Sequence, residues 1–303
     1  MKKNLRLIIL IALVPISMFF YKEFSFQTKT VVDTPKTLMK HLPPEEKREI
    51  EKRIVSPTPI TIGRQIKQAS LAATIRVPIF LYHYVENVQD KKDKIRVSLN
   101  IPPNIFEQQV QTLVNAGYTF MTAKELGDVL DGRMQLPPKP ILITFDDGHW
   151  DFATDVLPIL KKYQVKATQY VIPGFTGGSD FMTQTQVQEV INSGLVDIGA
   201  HTVHHISLKG KLLPIVQYEV NQSKSMLEHV YHIHVVSFAY PNGFFDAQAV
   251  QVVRAAGFST AVSTLPGIEQ NQQNRFYLYR LRPGYRTREN LLLYLQQNIF
   301  KAY

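Results

Sequence analysis

Four short stretches gather the residues capable of chemistry: "LYH" at 81–83, "TFDDG" at 144–148, "HTVHH" at 201–205 and "FAYPNG" at 238–243. Asp146 and Asp147 close a largely apolar run, which puts two carboxylates at the edge of a core, where charge is costly without a cation. Taken alone, "DDG" most often forms a plain surface turn. His204 and His205 lie three and four positions after His201, the separation of neighbours on one helical turn. One ion could therefore bridge His201 with His204 or His201 with His205, and spacing does not choose. Two imidazole nitrogens and one carboxylate oxygen leave room for water on the ion, the arrangement of a hydrolytic metal site.

These residues need elements to position them. Strands are expected at 77–85, 139–145, 166–172, 195–201, 235–240 and 259–264, each largely apolar. Helices are expected at 106–118, roughly 151–162, after Thr183 with Gln186 at the capping-box position, at 215–230, 246–257 and 287–297, the last capped by Thr287. Strand and helix alternate over about 225 residues, which predicts parallel strands with crossover helices. The fold class is therefore α/β: a (β/α) barrel, complete or short of one unit, fits the size. The alternative is an open doubly wound sheet, which no glycine-rich phosphate loop supports. In either fold, function gathers at the carboxyl ends of strands. That is where His83, Asp146, His201, Tyr240 and Pro241 fall.

The chain has 303 residues, 45% hydrophobic, enough for a large core and incompatible with a disordered protein. It contains no cysteine, so any metal must rest on His, Asp or Glu. The net charge of +9 suits an anionic surface such as a wall polymer or lipid. The basic residues are scattered, without a stripe interleaved with aromatics, so nucleic acid is not an expected partner. Lys2, Lys3 and Arg6 precede an uncharged run from Leu7 to Tyr21, the order of an export signal. Residues 1–24 are expected to be a signal peptide or a retained membrane anchor. Residues 25–76 are expected to be a polar linker with a short charged helix near 43–54, leaving 77–303 as the catalytic body. The protein is expected to be exported to the cell envelope, anchored or secreted.

The ordered set "TFDDG", "HTVHH" and "FAYPNG", with "VPIFLYHYV", "SGLVDIGAHTVHH" and "AAGFSTAVST" around it, resembles the polysaccharide deacetylase family, also called the NodB-homology domain or carbohydrate esterase family 4. The resemblance spans roughly residues 77–285. It implies a distorted (β/α) barrel and a metal-dependent hydrolase that removes N-acetyl groups from N-acetylglucosamine units of a polysaccharide, poly-N-acetylglucosamine or peptidoglycan. It further implies Asp146 as catalytic base and Asp147, His201 and His205 as ligands of a divalent metal, zinc by preference. Thr202 then fills the small-hydroxyl position of the histidine motif and His204 a variable one. The resemblance gives Tyr240, Pro241 and Asn242 to the substrate, with the Asn242 backbone N–H as an oxyanion donor.

Two departures stand out. No arginine lies between Val235 and Gly243 to orient the base, and no histidine follows His234 to act as a late general acid. "LYH" would supply the acid as His83 if the barrel is circularly permuted, as in exported poly-N-acetylglucosamine deacetylases, which the sequence resembles. Arg280 and Arg282 could supply the arginine from another strand, although surface arginines are the commoner reading. Trp150 could stack on a sugar or pack beneath its loop. Two other functions remain open from sequence: an esterase removing O-acetyl groups from a hemicellulose such as xylan, and a catalytically inactive carbohydrate-binding module.

Overall fold

The computed structural model describes residues 74–284, 287 and 290–300. The proposed export segment at 1–24, the charged helix near 43–54 and nearly all of the expected linker lie outside the described residues. Among the described residues no helix is long and apolar enough to cross a membrane.

The strands are β1 (Ile75–Arg76), β2 (Ile79–Tyr82), β3 (Thr119–Met121), β4 (Pro140–Phe145), β5 (Ala167–Val171), β6 (Val196–Ala200), β7 (Ser237–Ala239), β8 (Thr260–Val262) and β9 (Glu269–Gln270). Seven of them form one parallel sheet in the order β2-β4-β5-β6-β7-β8, with β3 also on β4. Leu142 pairs with both Ile79 and Met121, while Thr144 pairs with both Leu81 and Thr168. β3 and β5 therefore share one edge of β4, opposite β2. The sheet curls into a distorted barrel. Its two end strands, β8 and β2, are joined through residues 278–281, which make single parallel bridges, Val262 to Leu278 and Phe80 to Leu281. β1 and β9 form a small antiparallel pair beside the sheet.

Period-two alternation sorts the core into two faces. Ile141, Ile143 and Phe145 turn outward with Phe80 and Tyr82 to meet the helices, whereas Ile79, Leu142, Tyr170, Ala239, Val262 and Leu278 fill the barrel. Gly199 makes this filling possible, since a Cβ there would stand 2.3 Å from the Tyr170 ring.

The helices are α1 (Lys94–Leu99), α2 (Pro103–Asn115), α3 (Ala123–Leu130), α4 (Leu157–Tyr163), α5 (Gln184–Asn192), α6 (Leu213–Tyr231), α7 (Ala247–Ala255) and α8 (Leu291–Phe300). α2 buries Ile105, Phe106, Gln109, Val110 and Leu113, one stripe of a 3.6-residue period. It begins earlier than expected because Pro102 and Pro103 suit a helix start. The Thr183 capping box with Gln186 opens α5 as expected.

The unit β3–α3 was not anticipated, although Thr122 and Glu125 form a reciprocal capping box at its start. α3 plugs the amino-terminal mouth of the barrel: Ala123 N–H donates to Thr168 Oγ1, and Gly127 lies against Ser259 and Thr260. The helix expected from 151 opens instead with a π-helical turn at Phe152–Val156. The last helix starts at Leu291, not at Thr287, whose hydroxyl instead accepts from Gln109 Nε2 and donates to the Gly284 carbonyl.

Candidate active site

At the carboxyl ends of β2, β4, β5 and β6 lies a cleft of about 600 Å³, lined among others by His83, Asp146, Asp147, His201, His205, Asn242 and Arg282. In β4, alternation carries Leu142, Thr144 and Asp146 inward. Continued extension would send Asp147 outward, but its φ of 79° turns the chain and returns the second carboxylate to the cleft. Asp tolerates this left-handed geometry better than a β-branched residue would.

Asp146 is 3% exposed and meets the Arg280 guanidinium in a bidentate pair, with Nη1 to Oδ1 at 2.8 Å and Nη2 to Oδ2 at 2.7 Å. Arg280 is itself 2% exposed and also donates Nε to the Ser263 carbonyl at 2.7 Å. The expectation of a surface arginine is corrected for Arg280. Leu278 and Arg280 share the inward face of the closing segment, so the side chain enters the barrel. Burial alone would raise the Asp146 carboxyl, but the Arg280 charge and its hydrogen bonds outweigh that and hold it below the usual carboxylate range. Arg282 also lines the cleft.

Asp147 Oδ1 stands 3.3 Å from His201 Nε2 and 3.2 Å from His205 Nε2. It is buried and makes no hydrogen bond of proper geometry. Ligand atoms about 2.1 Å from an ion at tetrahedral angles stand ~3.4 Å apart, so this convergence fits a divalent metal. The three side chains form a possible metal-holding group. His201 Nδ1 donates to the Ala239 carbonyl at 2.8 Å, which leaves the Nε2 lone pair for the ion.

The histidine segment is not a helical turn. Thr202 and His205 have φ of 63° and 53°, and this looped backbone brings His201 and His205 together, with ring centroids 5.0 Å apart. His204 points elsewhere and binds Glu219 Oε1 through Nδ1 at 2.7 Å.

Asp147 Oδ2 is engaged by a residue that sequence reasoning passed over. His149 Nε2 lies 3.3 Å from it, and His149 Nδ1 lies 3.1 Å from the Asp180 carbonyl. Both oxygens can only accept, so a ring nitrogen that carries hydrogen donates to the oxygen it faces. Burial would raise the Asp147 carboxyl; the His149 contact and the neighbouring His201 imidazole overcome it and hold Asp147 well below the usual range.

His83 lines the cleft as expected from its place after β2. Burial pushes its imidazole down to about 4, against the pull of Asp146 and Asp147. In this state the ring is neutral at pH 7.

The "FAYPNG" residues divide. β7 alternation puts Tyr240 on the outer face with Phe238, stacked on Phe245 with centroids 4.8 Å apart, and Pro241 is buried. Neither reaches the cleft, so their expected place on the substrate is corrected: they support the turn beneath it. Asn242, at φ 57° in that turn, lines the cleft itself. Trp150 is not among the cleft-lining residues.

A family model described as "Polysaccharide deacetylase" matches residues 133–261. The chain is 31% identical over 211 residues to YxkH of Bacillus subtilis, provisionally described as a polysaccharide deacetylase, covering 69% of this chain and 72% of that one. It is 24% identical over 220 residues to the poly-β-1,6-N-acetyl-D-glucosamine N-deacetylase of Staphylococcus aureus, covering 68% and 75% respectively. A Streptococcus pyogenes deacetylase solved with acetate superposes with a TM-score of 0.67 at 28% identity, covering 73% of this chain and 98% of that one. The fold, the converging carboxylates and histidines, and these likenesses agree: the chain belongs to the polysaccharide deacetylase family.

Proposed function

We propose that the protein is an exported, metal-dependent N-deacetylase acting on N-acetylglucosamine units of an envelope or extracellular polysaccharide, with a β-1,6-linked glucosamine polymer as the first substrate to test. The observation that carries this reading is the pairing of Asp146 with Arg280 beside the donor set Asp147, His201 and His205 in one cleft. A carboxylate held ionised and fixed in orientation next to three converging metal donors is what hydrolysis of an unreactive amide demands. The Staphylococcus aureus relative supports the glucosamine polymer as substrate.

Asp147, His201 and His205 would hold the ion. A divalent metal there supplies a Lewis acid for the amide carbonyl and lowers the pKa of water toward neutrality. Asp146, oriented by Arg280, takes the proton of the attacking water on a carboxylate oxygen. The Asn242 backbone N–H is assigned to the carbonyl oxygen as it gains charge. His83 is assigned to return a proton to the amine nitrogen. Its low proton affinity is raised as negative charge develops on the reacting carbonyl, so it takes up the proton that Asp146 removed from the water and passes it to the amine nitrogen as the carbon–nitrogen bond breaks.

Export to the cell envelope, with residues 1–24 as signal or anchor, rests on the basic-then-apolar order of the N-terminus. The test is acetate release from β-1,6-linked N-acetylglucosamine oligomers, peptidoglycan and O-acetylated xylan, with and without chelator. N-acetyl release that chelator abolishes and zinc restores is expected. Release from xylan alone would make the protein an O-acetyl esterase, binding without release a carbohydrate-binding module, and chelator-insensitive activity would end the metal reading.

A further inference from the structure

His149 sits two residues after Asp147, brought back against it by the left-handed Asp147 and by Gly148 at φ 84°. Its ring lies between Tyr84, with centroids 4.0 Å apart and planes at 26°, and Phe181, at 5.0 Å and 24°. The segments carrying this sandwich are tied together by backbone. Met182 N–H donates to the Gly148 carbonyl at 3.0 Å and Trp150 N–H to the Asp180 carbonyl at 3.2 Å, and His149 bridges to Phe181. Arg96 braces the outer ring, with its guanidinium 4.5 Å from the Tyr84 centroid and bonded to Glu86 at 2.8 Å and Asp180 at 2.9 Å.

The two stacked rings set the plane of the imidazole and the Asp180 carbonyl meets its Nδ1 end, so its Nε2 end faces Asp147 Oδ2. The other oxygen, Oδ1, faces His201 and His205. A ligating carboxylate is commonly fixed by a hydrogen bond to its non-ligating oxygen, and such partners set metal affinity.

We propose that His149 is a positioning residue that holds Asp147 by Oδ2 and thereby presents Oδ1 to the metal. Nothing in the "TFDDG" motif itself supplies this contact; it comes from a histidine outside that motif, clamped by aromatic residues of two other loops. The inference rests on Asp147, His201 and His205 being the metal site, and its test reads metal affinity rather than turnover.

Zinc binding to metal-free protein is measured by competition with a chromophoric chelator for wild type, H149F, H149N and H149Q, each checked by thermal unfolding without metal. Phe keeps the stacked ring without nitrogens. Asn reaches only toward the Nδ1 position, and the terminal amide of Gln reaches the Nε2 position and can donate to Oδ2. Expected is a loss of affinity of about 10- to 100-fold for H149F and H149N, with H149Q recovering most of it. Should H149F not fold, the contrast between Asn and Gln decides. Equal affinity in all four proteins, or Gln as weak as Asn, overturns the role of His149 while leaving the metal site standing. A wild-type protein that takes no zinc overturns both.

Discussion

Replacing Arg280 by methionine keeps much of its length and removes its charge, which isolates the pair it forms with Asp146. The Arg280 side chain is 0% exposed and that of Asp146 4%, so little water can take the place of the guanidinium. Removing one partner of such a buried pair typically costs about 3–5 kcal/mol, because the other charge is left uncompensated. The pH dependence fixes the sign. Asp146 is held below its ordinary range, so its contribution to stability is present above the unfolded carboxyl value of about 3.9 and is lost as pH falls through the lower folded value. Without Arg280, burial is opposed only by the weaker influence of the His201 and His83 imidazoles, and the folded carboxyl rises.

The deficit of R280M should therefore be largest near pH 7.5 and shrink as the solution is acidified and the carboxyl protonates. Urea unfolding of both proteins from pH 7.5 down to 4.5 measures it. The acid limb of the acetate-release profile should move to higher pH in the same variant. R280K, which keeps the charge and loses the bidentate fork, should fall between the two. An R280M deficit under about 1 kcal/mol at pH 7.5 that does not change with pH would refute the argument, since this is below the ordinary cost of orphaning a buried charge.

Asp151 offers the opposite sign. Burial pushes its carboxyl up to about 6 while the Val85 N–H donates to it, so the folded state binds the proton more tightly than the unfolded one, and stability falls as pH rises through that value. D151N, whose amide oxygen can still accept from Val85, should gain up to about 3 kcal/mol over wild type at pH 8 and almost nothing at pH 4; a gain that is the same at both would contradict it. His204→Ala should leave zinc affinity within about twofold of wild type, since His204 is turned toward Glu219, and a larger loss in the chelator competition would return His204 to the ligand set.

Much of the barrel and its rim could be read from sequence because a parallel strand announces itself as an apolar run, and a polar residue at its end stands out. Asp146, His201 and His83 are of this kind. The histidine pair was reachable by spacing only as an open choice, and the geometry behind it differs: a loop with two left-handed residues, not a helical turn, joins His201 to His205. Arg280 is named by the sequence only as the less favoured of two readings, because residue type in "YLYRLRPG" (277–284) points to a surface arginine. Alternation within it puts Leu278 and Arg280 on one face, and an apolar neighbour at that spacing marks an inward side chain. His149 escaped because its partner lies two residues away across a left-handed turn and its clamp comes from distant loops, neither of which leaves a local pattern. The α3 plug was legible in Thr122 and Glu125 but short enough to be overlooked. Tyr240 shows the reverse error, a residue at a strand end whose parity sends it away from the cleft.

The seam between β8 and β2 has a consequence for how the barrel is completed. The donors Asp147, His201 and His205 all precede the end of β8, whereas the guanidinium that compensates Asp146 arrives only with residues 278–281, among the last of the ring to be made. Until that segment inserts, Asp146 must stay wet or protonated, because a dry, lone carboxylate costs several kcal/mol. The segment that closes the circle thus also carries the charge that compensates the carboxylate, with Arg280 as the clasp. A chain cut short before Arg280 would keep every metal donor yet have neither a shut barrel nor a settled anion within it.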